Sequence, residues 1–163
     1  MSSRSGRYNE QRKLIEAKAP PHAPAWKWVS PRIAEWEKLW KDYKLSEAYP
    51  EIPAMIADSQ RASARERDLM TRAIRANPRF CGYSLTSKED CWGTGEGIWD
   101  TFRAWKAGHQ EVVTAGWAPT RFCLLVNPTP IASGKPFRLI AALADEDRLP
   151  AGQRRVTLRV RDQ

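Results

Sequence analysis

Gly93, Gly95 and Gly97 alternate with Thr94 and Glu96 in the run CWGTGEGIWDTFRAW, residues 91–105, and an apolar stretch with helical spacing follows at once. Flexible backbone feeding a helix N-terminus is the local shape of a phosphate cradle. The rest of that chemistry is missing. A P-loop needs a buried strand and then GxxxxGK[ST], with the lysine reaching the phosphates, and a dinucleotide fingerprint needs GxGxxG inside a βαβ unit. Here the last glycine is followed by Ile98, and the acids Glu96 and Asp100 flank the turn and would repel phosphate. The run therefore predicts a turn into a short helix over residues 98–108, with Ile98, Phe102 and Trp105 on one face and Gly108 as its stop.

Two other groupings could carry catalysis or bind a metal. Cys81, Cys91 and Cys123 contain no CxxC pair, and with His109 they are too dispersed for the paired ligands that structural zinc sites use. A small enzyme using a Cys/His pair near the Gly-rich turn remains an alternative, because a thiol beside an imidazole is an activated nucleophile. The carboxylates Asp145, Glu146 and Asp147 lie in a loop between strand-like runs and lack the ligand order of an EF-hand. No cofactor, metal or small-molecule substrate is evident from the sequence.

Arginine is the residue type whose spacing says most. Arg61, Arg65, Arg72 and Arg75 fall in one narrow stripe of a helical wheel, with Asp68 among them. Arg155, Arg159 and Arg161 alternate with Val156, Leu158 and Val160, as on one face of a strand. Guanidinium groups in line suit successive phosphates, whereas a solvated helix face with intrahelical ion pairs has the same lettering. The formal net charge of +8 is concentrated at the ends: residues 1–45 hold ten Lys/Arg against five acids, and residues 119–163 eight against four. Phosphate neutralisation and counterion release make nucleic acid the expected partner of such a balance.

The elements that must position these residues follow from apolar spacing and proline. Residues 1–30 form a basic, Pro-rich arm, in which Pro20, Pro21 and Pro24, with Pro31 just after them, favour extended chain. Trp26 and Trp28 would point to the same side of that chain as partner-binding anchors. Ser30-Pro31 is a good helix start, and Ile33, Trp36, Trp40 and Tyr43 make one apolar stripe. A longer helix spans Pro53–Ala76 and ends at Asn77-Pro78, with Met55, Ile56, Ala62, Leu69, Met70, Ala73 and Ile74 on its core-facing side and Glu66 near the middle of that side. A short strand is expected at RFCGYSL, residues 79–85. The runs TRFCLLVN, FRLIAAL and RRVTLRVR then predict a C-terminal three-stranded antiparallel sheet.

Helices first and strands last, without βαβ alternation, give an α+β fold: an extended arm over 1–30 and a single domain over 31–163. A mean hydropathy of −0.62, with no long apolar run, excludes a transmembrane helix, and the polar N-terminus carries no secretory signal. The expected location is cytoplasmic or a host-cell interior. The expected function is a non-catalytic nucleic-acid-associated or assembly protein. Its polyanion binding would be backbone-led and only weakly sequence-specific, as in a small subunit of a ribonucleoprotein, phage or host-defence complex. A protein-directed adaptor or inhibitor using the Trp-rich arm is the alternative.

Overall fold

The structure is a computed structural model that describes residues 22, 24–90, 95–100 and 103–159. Among the described residues three helices precede a two-stranded antiparallel sheet, so the architecture is α+β. Helix α1 spans Pro24–Asp42, a 3-10 turn follows at Leu45–Glu47, and helix α2 spans Ile52–Arg75. Helix α3, His109–Gly116, leads into strands β1, Thr120–Asn127, and β2, Arg138–Asp145. No helix among the described residues is long and apolar enough to cross a membrane.

Helix α1 begins earlier than proline spacing implies. Pro24 already occupies a first helical position, where a missing N–H costs nothing, and Pro31 is absorbed inside the helix. Residues 24–30 are therefore helical rather than extended, and Trp26 and Trp28 lie in this helix; their side-chain contacts fall outside the described residues, as does the whole of 1–21. The helix ends where Lys44 adopts φ +48. Ile33, Trp36 and Trp40 are half-buried, Tyr43 is exposed, and the main contact of α1 is the 3-10 turn after it.

Helix α2 matches the expected span, but its inward side is rotated from the expected one: Ile56 is buried as expected, and Met55, Ala62 and Ile74 are half-buried. Ile56, Gln60 and Ala64 are its buried residues, and Arg67, Asp68, Thr71 and Arg75 continue the half-buried side. Leu69, Met70 and Ala73, expected inside, are exposed, and so is Glu66, whose burial the sequence leaves open. The inward side is polar because its groups are met one by one. Gln60 Oε1 accepts from Ala107 N at 3.0 Å, the Arg67 guanidinium donates to the Glu96 carbonyl, and Asp68 accepts from Arg121 at 3.1 Å. Small residues set the approach of α3 to α2. A Cβ on Gly108 would lie 3.4 Å from Ala64 Cβ, and one on Gly116 would lie 3.2 Å from Thr71 Cγ2.

Among the described residues of 76–108 there is neither the strand expected at 79–85 nor the helix expected at 98–108. Asp100 explains the second difference. Its Oδ1 accepts from Ala104 N at 2.9 Å, its carbonyl from Arg103 N at 2.9 Å, and Arg103 takes φ +63. An aspartate that bonds the nearby backbone diverts a chain from helix. The segment instead makes short bridges, Glu89 with Trp99 and Trp99 with Trp105, whose rings meet edge to face at 5.4 Å. Gly108 starts a helix rather than ending one, at φ +77.

The sheet pairs Thr120 with Asp145 through to Asn127 with Arg138. The third strand does not join it: residues 153–159 belong to no ladder, and Val156 and Leu158 are exposed. The chain after β2 is occupied locally, because the Asp145 carboxylate accepts from Arg148 N and Leu149 N. Glu146 N also donates to the Pro119 carbonyl at 3.0 Å.

Candidate interaction surfaces

Asp68 is the centre of an ionic cluster that joins α2 to β1. Its two oxygens accept from Arg72, one turn on, and from Arg121 of β1. Burial pushes the Asp68 carboxyl up, but the hydrogen bonds from Arg72 and Arg121 outweigh it and hold the group below the usual carboxylate range. Arg75 lies beside this cluster with its side chain only 12% exposed. It donates to the carbonyls of Gly116, at 2.8 Å, and of Ala118, and pairs with Glu146 at 3.2 Å. One guanidinium thus holds the end of α2, the end of α3 and the turn after β2 together.

The arginines singled out by spacing therefore divide. Arg72 and Arg75 are engaged within the fold, while Arg61 and Arg65 are exposed on α2, with Arg61 3.5 Å from Asp58. Arg155 and Arg159 are exposed on the segment outside the sheet, and Arg161 lies outside the described residues. Arg67 and Arg121, which stripe spacing passes over, are the ones that tie elements together. Strand parity carried the signal for Arg121, since it shares a side of β1 with Cys123, a fully buried residue.

The glycine run belongs to a buried polar knot. Lys106 Nζ donates to Asp90 Oδ1 at 2.7 Å and to the Gly95 carbonyl at 2.9 Å, and Gly97 N donates to the same Asp90 oxygen at 2.9 Å. Burial pushes the Asp90 carboxyl up against the opposing pull of Lys106, and it pushes the Lys106 ammonium down against that of Asp90. A Cβ at Gly97 would sit 2.4 Å from the Glu89 carbonyl carbon, so this glycine answers to close packing. Gly93 and Cys91 lie outside the described residues.

His109 is buried in the same region, with Nδ1 3.3 Å from the Ala107 carbonyl. Its imidazole is pushed down by burial, with the Arg67 and Lys106 charges adding to the effect. Cys123 is buried, whereas Cys81 is exposed. The Cys/His pair expected near the Gly-rich turn would use Cys91, which lies outside the described residues. Among the described residues no group of His, Cys, Asp and Glu is gathered to hold a metal ion. The acidic loop is used structurally: Asp145 also accepts from Thr120 Oγ1 at 2.6 Å, a bond that holds its carboxyl below the ordinary value.

Large apolar side chains are exposed as well. Leu69 and Met70 are 53% and 63% exposed on α2. Phe122 and Leu124 share one side of β1, Leu143 pairs across from Phe122, and all three are exposed. A cleft of about 600 Å³ runs between the end of α2, Phe80–Tyr83, Trp117 and Leu143–Glu146. In it the Trp117 indole N–H donates to the Tyr83 hydroxyl, whose pKa burial pushes up. Comparison with protein-family models, with curated proteins and with solved structures finds no match for this chain.

Proposed function

We propose that this protein is a non-catalytic assembly subunit whose exposed apolar faces are completed by a partner. One observation carries the proposal: α2 turns its polar side inward and leaves Leu69, Met70 and Ala73 outward, while Phe122, Leu124 and Leu143 stand uncovered on the sheet. Isolated surface hydrophobes are ordinary, but grouped ones on two regular elements mark association surfaces. The test is the mass of the native complex together with interface variants. A stoichiometric complex that Met70→Lys or Phe122→Lys dissociates supports the proposal. A monodisperse monomer at every concentration, with no stoichiometric partner in the native source, overturns it.

Polyanion binding is the second reading, and it rests on Arg61, Arg65, Arg155 and Arg159, which are exposed. Binding through these groups would be led by phosphate and weakly sequence-specific, because guanidinium–phosphate contacts carry no base information. A salt series with random DNA and RNA tests it. Affinity must fall steeply with salt, and absence of binding at low salt overturns it.

A further inference from the structure

Strand β2 is bonded to β1 on one side only, and among the described residues its other edge takes part in no ladder. An open edge beside exposed apolar side chains is a template for another strand. The chain contains a segment suited to it. Val156 and Leu158, 57% and 54% exposed, alternate with Arg155, Thr157 and Arg159, yet residues 153–159 pair with nothing in their own sheet. Two-stranded ribbons are marginal, and a third strand with an apolar face is what stabilises them.

We propose that two copies of this chain exchange this segment, residues 154–159 of each adding antiparallel to the free edge of β2 in the other. The proposal rests on the assembly reading above and names its partner. Charge favours one direction. Antiparallel addition brings two arginines, Arg154 and Arg155, alongside Asp145, Glu146 and Asp147 at the end of β2 and only Arg159 towards Arg138, whereas parallel addition would set the pair against Arg138. The apolar side of the added strand then extends the surface that Phe122, Leu124 and Leu143 leave open.

A second copy is favoured over the segment's own sheet by the connection between them. Glu146 N is bonded to the Pro119 carbonyl, Asp145 holds the amides of Arg148 and Leu149, and Arg154 donates to the Pro150 carbonyl. Residues 146–154 are thus closed on themselves, with the strand-forming segment outside the ladder. Reciprocal exchange supplies the same local pairing twice and closes as a two-fold dimer.

The experiment is light scattering on the full chain across a concentration series, with Thr157→Pro, Leu158→Pro and a chain ending at Gln153. Proline removes an amide from the ladder, and two adjacent positions ensure that one of them faces β2 in either register. The full chain is expected to be a dimer, and the mass should halve in the shortened chain and in one proline variant, with the helical circular dichroism retained. A full chain that is monomeric overturns the proposal, whether the segment pairs at home or not at all. A dimer that survives all three changes also overturns it, by placing the contact elsewhere. A monomer that forms a stoichiometric complex with a different protein overturns the second copy as partner while leaving the assembly reading standing.

Discussion

Lys106 Nζ lies 2.7 Å from Asp90 Oδ1 with the two side chains 0% and 5% exposed, an ion pair enclosed by the protein. Desolvation makes such a pair a poor source of net stability, but removing one member leaves a buried charge without its counterpart. Lys106→Met is expected to cost about 3–5 kcal/mol in urea denaturation. Asp90→Asn combined with Lys106→Met should lose clearly less than the sum of the single variants. Additive losses would mean that the two groups do not act as a pair.

Gly97 fixes the same knot from the backbone side. A Cβ there would meet the Glu89 carbonyl carbon at 2.4 Å and Asp90 N at 2.5 Å, neither of which can swing aside like a side chain. Gly97→Ala should cost about 3 kcal/mol or more by overpacking. Gly82 has nothing within 4 Å of its Cβ direction, so Gly82→Ala is the control and should leave the denaturation midpoint within about 0.5 kcal/mol of wild type.

Gly97 also marks where sequence reasoning reaches its limit. Proline with Asn77 correctly located the end of α2, because that is a local effect, whereas Gly97 answers to close packing against Glu89 and Asp90 rather than to the backbone freedom its alternation implied. Which side of α2 faces inward was not local. Gln60, Asp68 and Arg75 are polar by type, and they became interior only because Ala107, Arg121, Gly116 and Ala118 come to meet them from distant positions. The helix expected at 98–108 failed for a related reason, since the Asp100 carboxylate took the backbone amide that a helix would have used. In the sheet, the strand-like runs TRFCLLVN and FRLIAAL paired, with a register that spacing could not supply, whereas residues 153–159 of the run with the clearest alternation stay outside the ladder.

The buried imidazole gives a pH dependence whose sign is fixed. His109 is pushed below its ordinary value by burial and by the Arg67 and Lys106 charges, so the unfolded chain binds the proton first. Stability associated with neutral His109 is complete above the unfolded value and is lost as the pH falls below about 6.5. One proton can contribute no more than about 1.4 kcal/mol per pH unit. Denaturation midpoints should drop as the pH falls from about 7 through about 6.5, while the raised Asp90 carboxyl acts with opposite sign where it titrates. His109→Gln should flatten that decline, and an unchanged slope would place its origin elsewhere.

Arg75 is expected to behave as a structural clamp. Arg75→Ala strands the Gly116 and Ala118 carbonyls and frees Glu146, with a loss of about 2–3 kcal/mol. Arg75→Lys should not restore it, because a single ammonium cannot reproduce the guanidinium fork that reaches separate acceptors. Full rescue by lysine in thermal unfolding would show that charge alone matters at this position.

Arg61 and Arg65 are expected to behave in the opposite way, and the contrast separates structural from binding arginines on one helix. Both are exposed, and the Arg61–Asp58 pair is solvent-screened, so their replacement should move the denaturation midpoint by no more than about 0.5 kcal/mol. If phosphates lie along this side of α2, each arginine removed lowers the slope of log affinity against log salt by about 1, uniformly across sequences. Arg75→Lys, which keeps its charge inside the fold, should leave that slope unchanged. A slope insensitive to Arg61→Ala and Arg65→Ala, with binding intact, would move the contact to the C-terminal arginines. There Arg155→Ala and Arg159→Ala should reduce the slope in the same proportion.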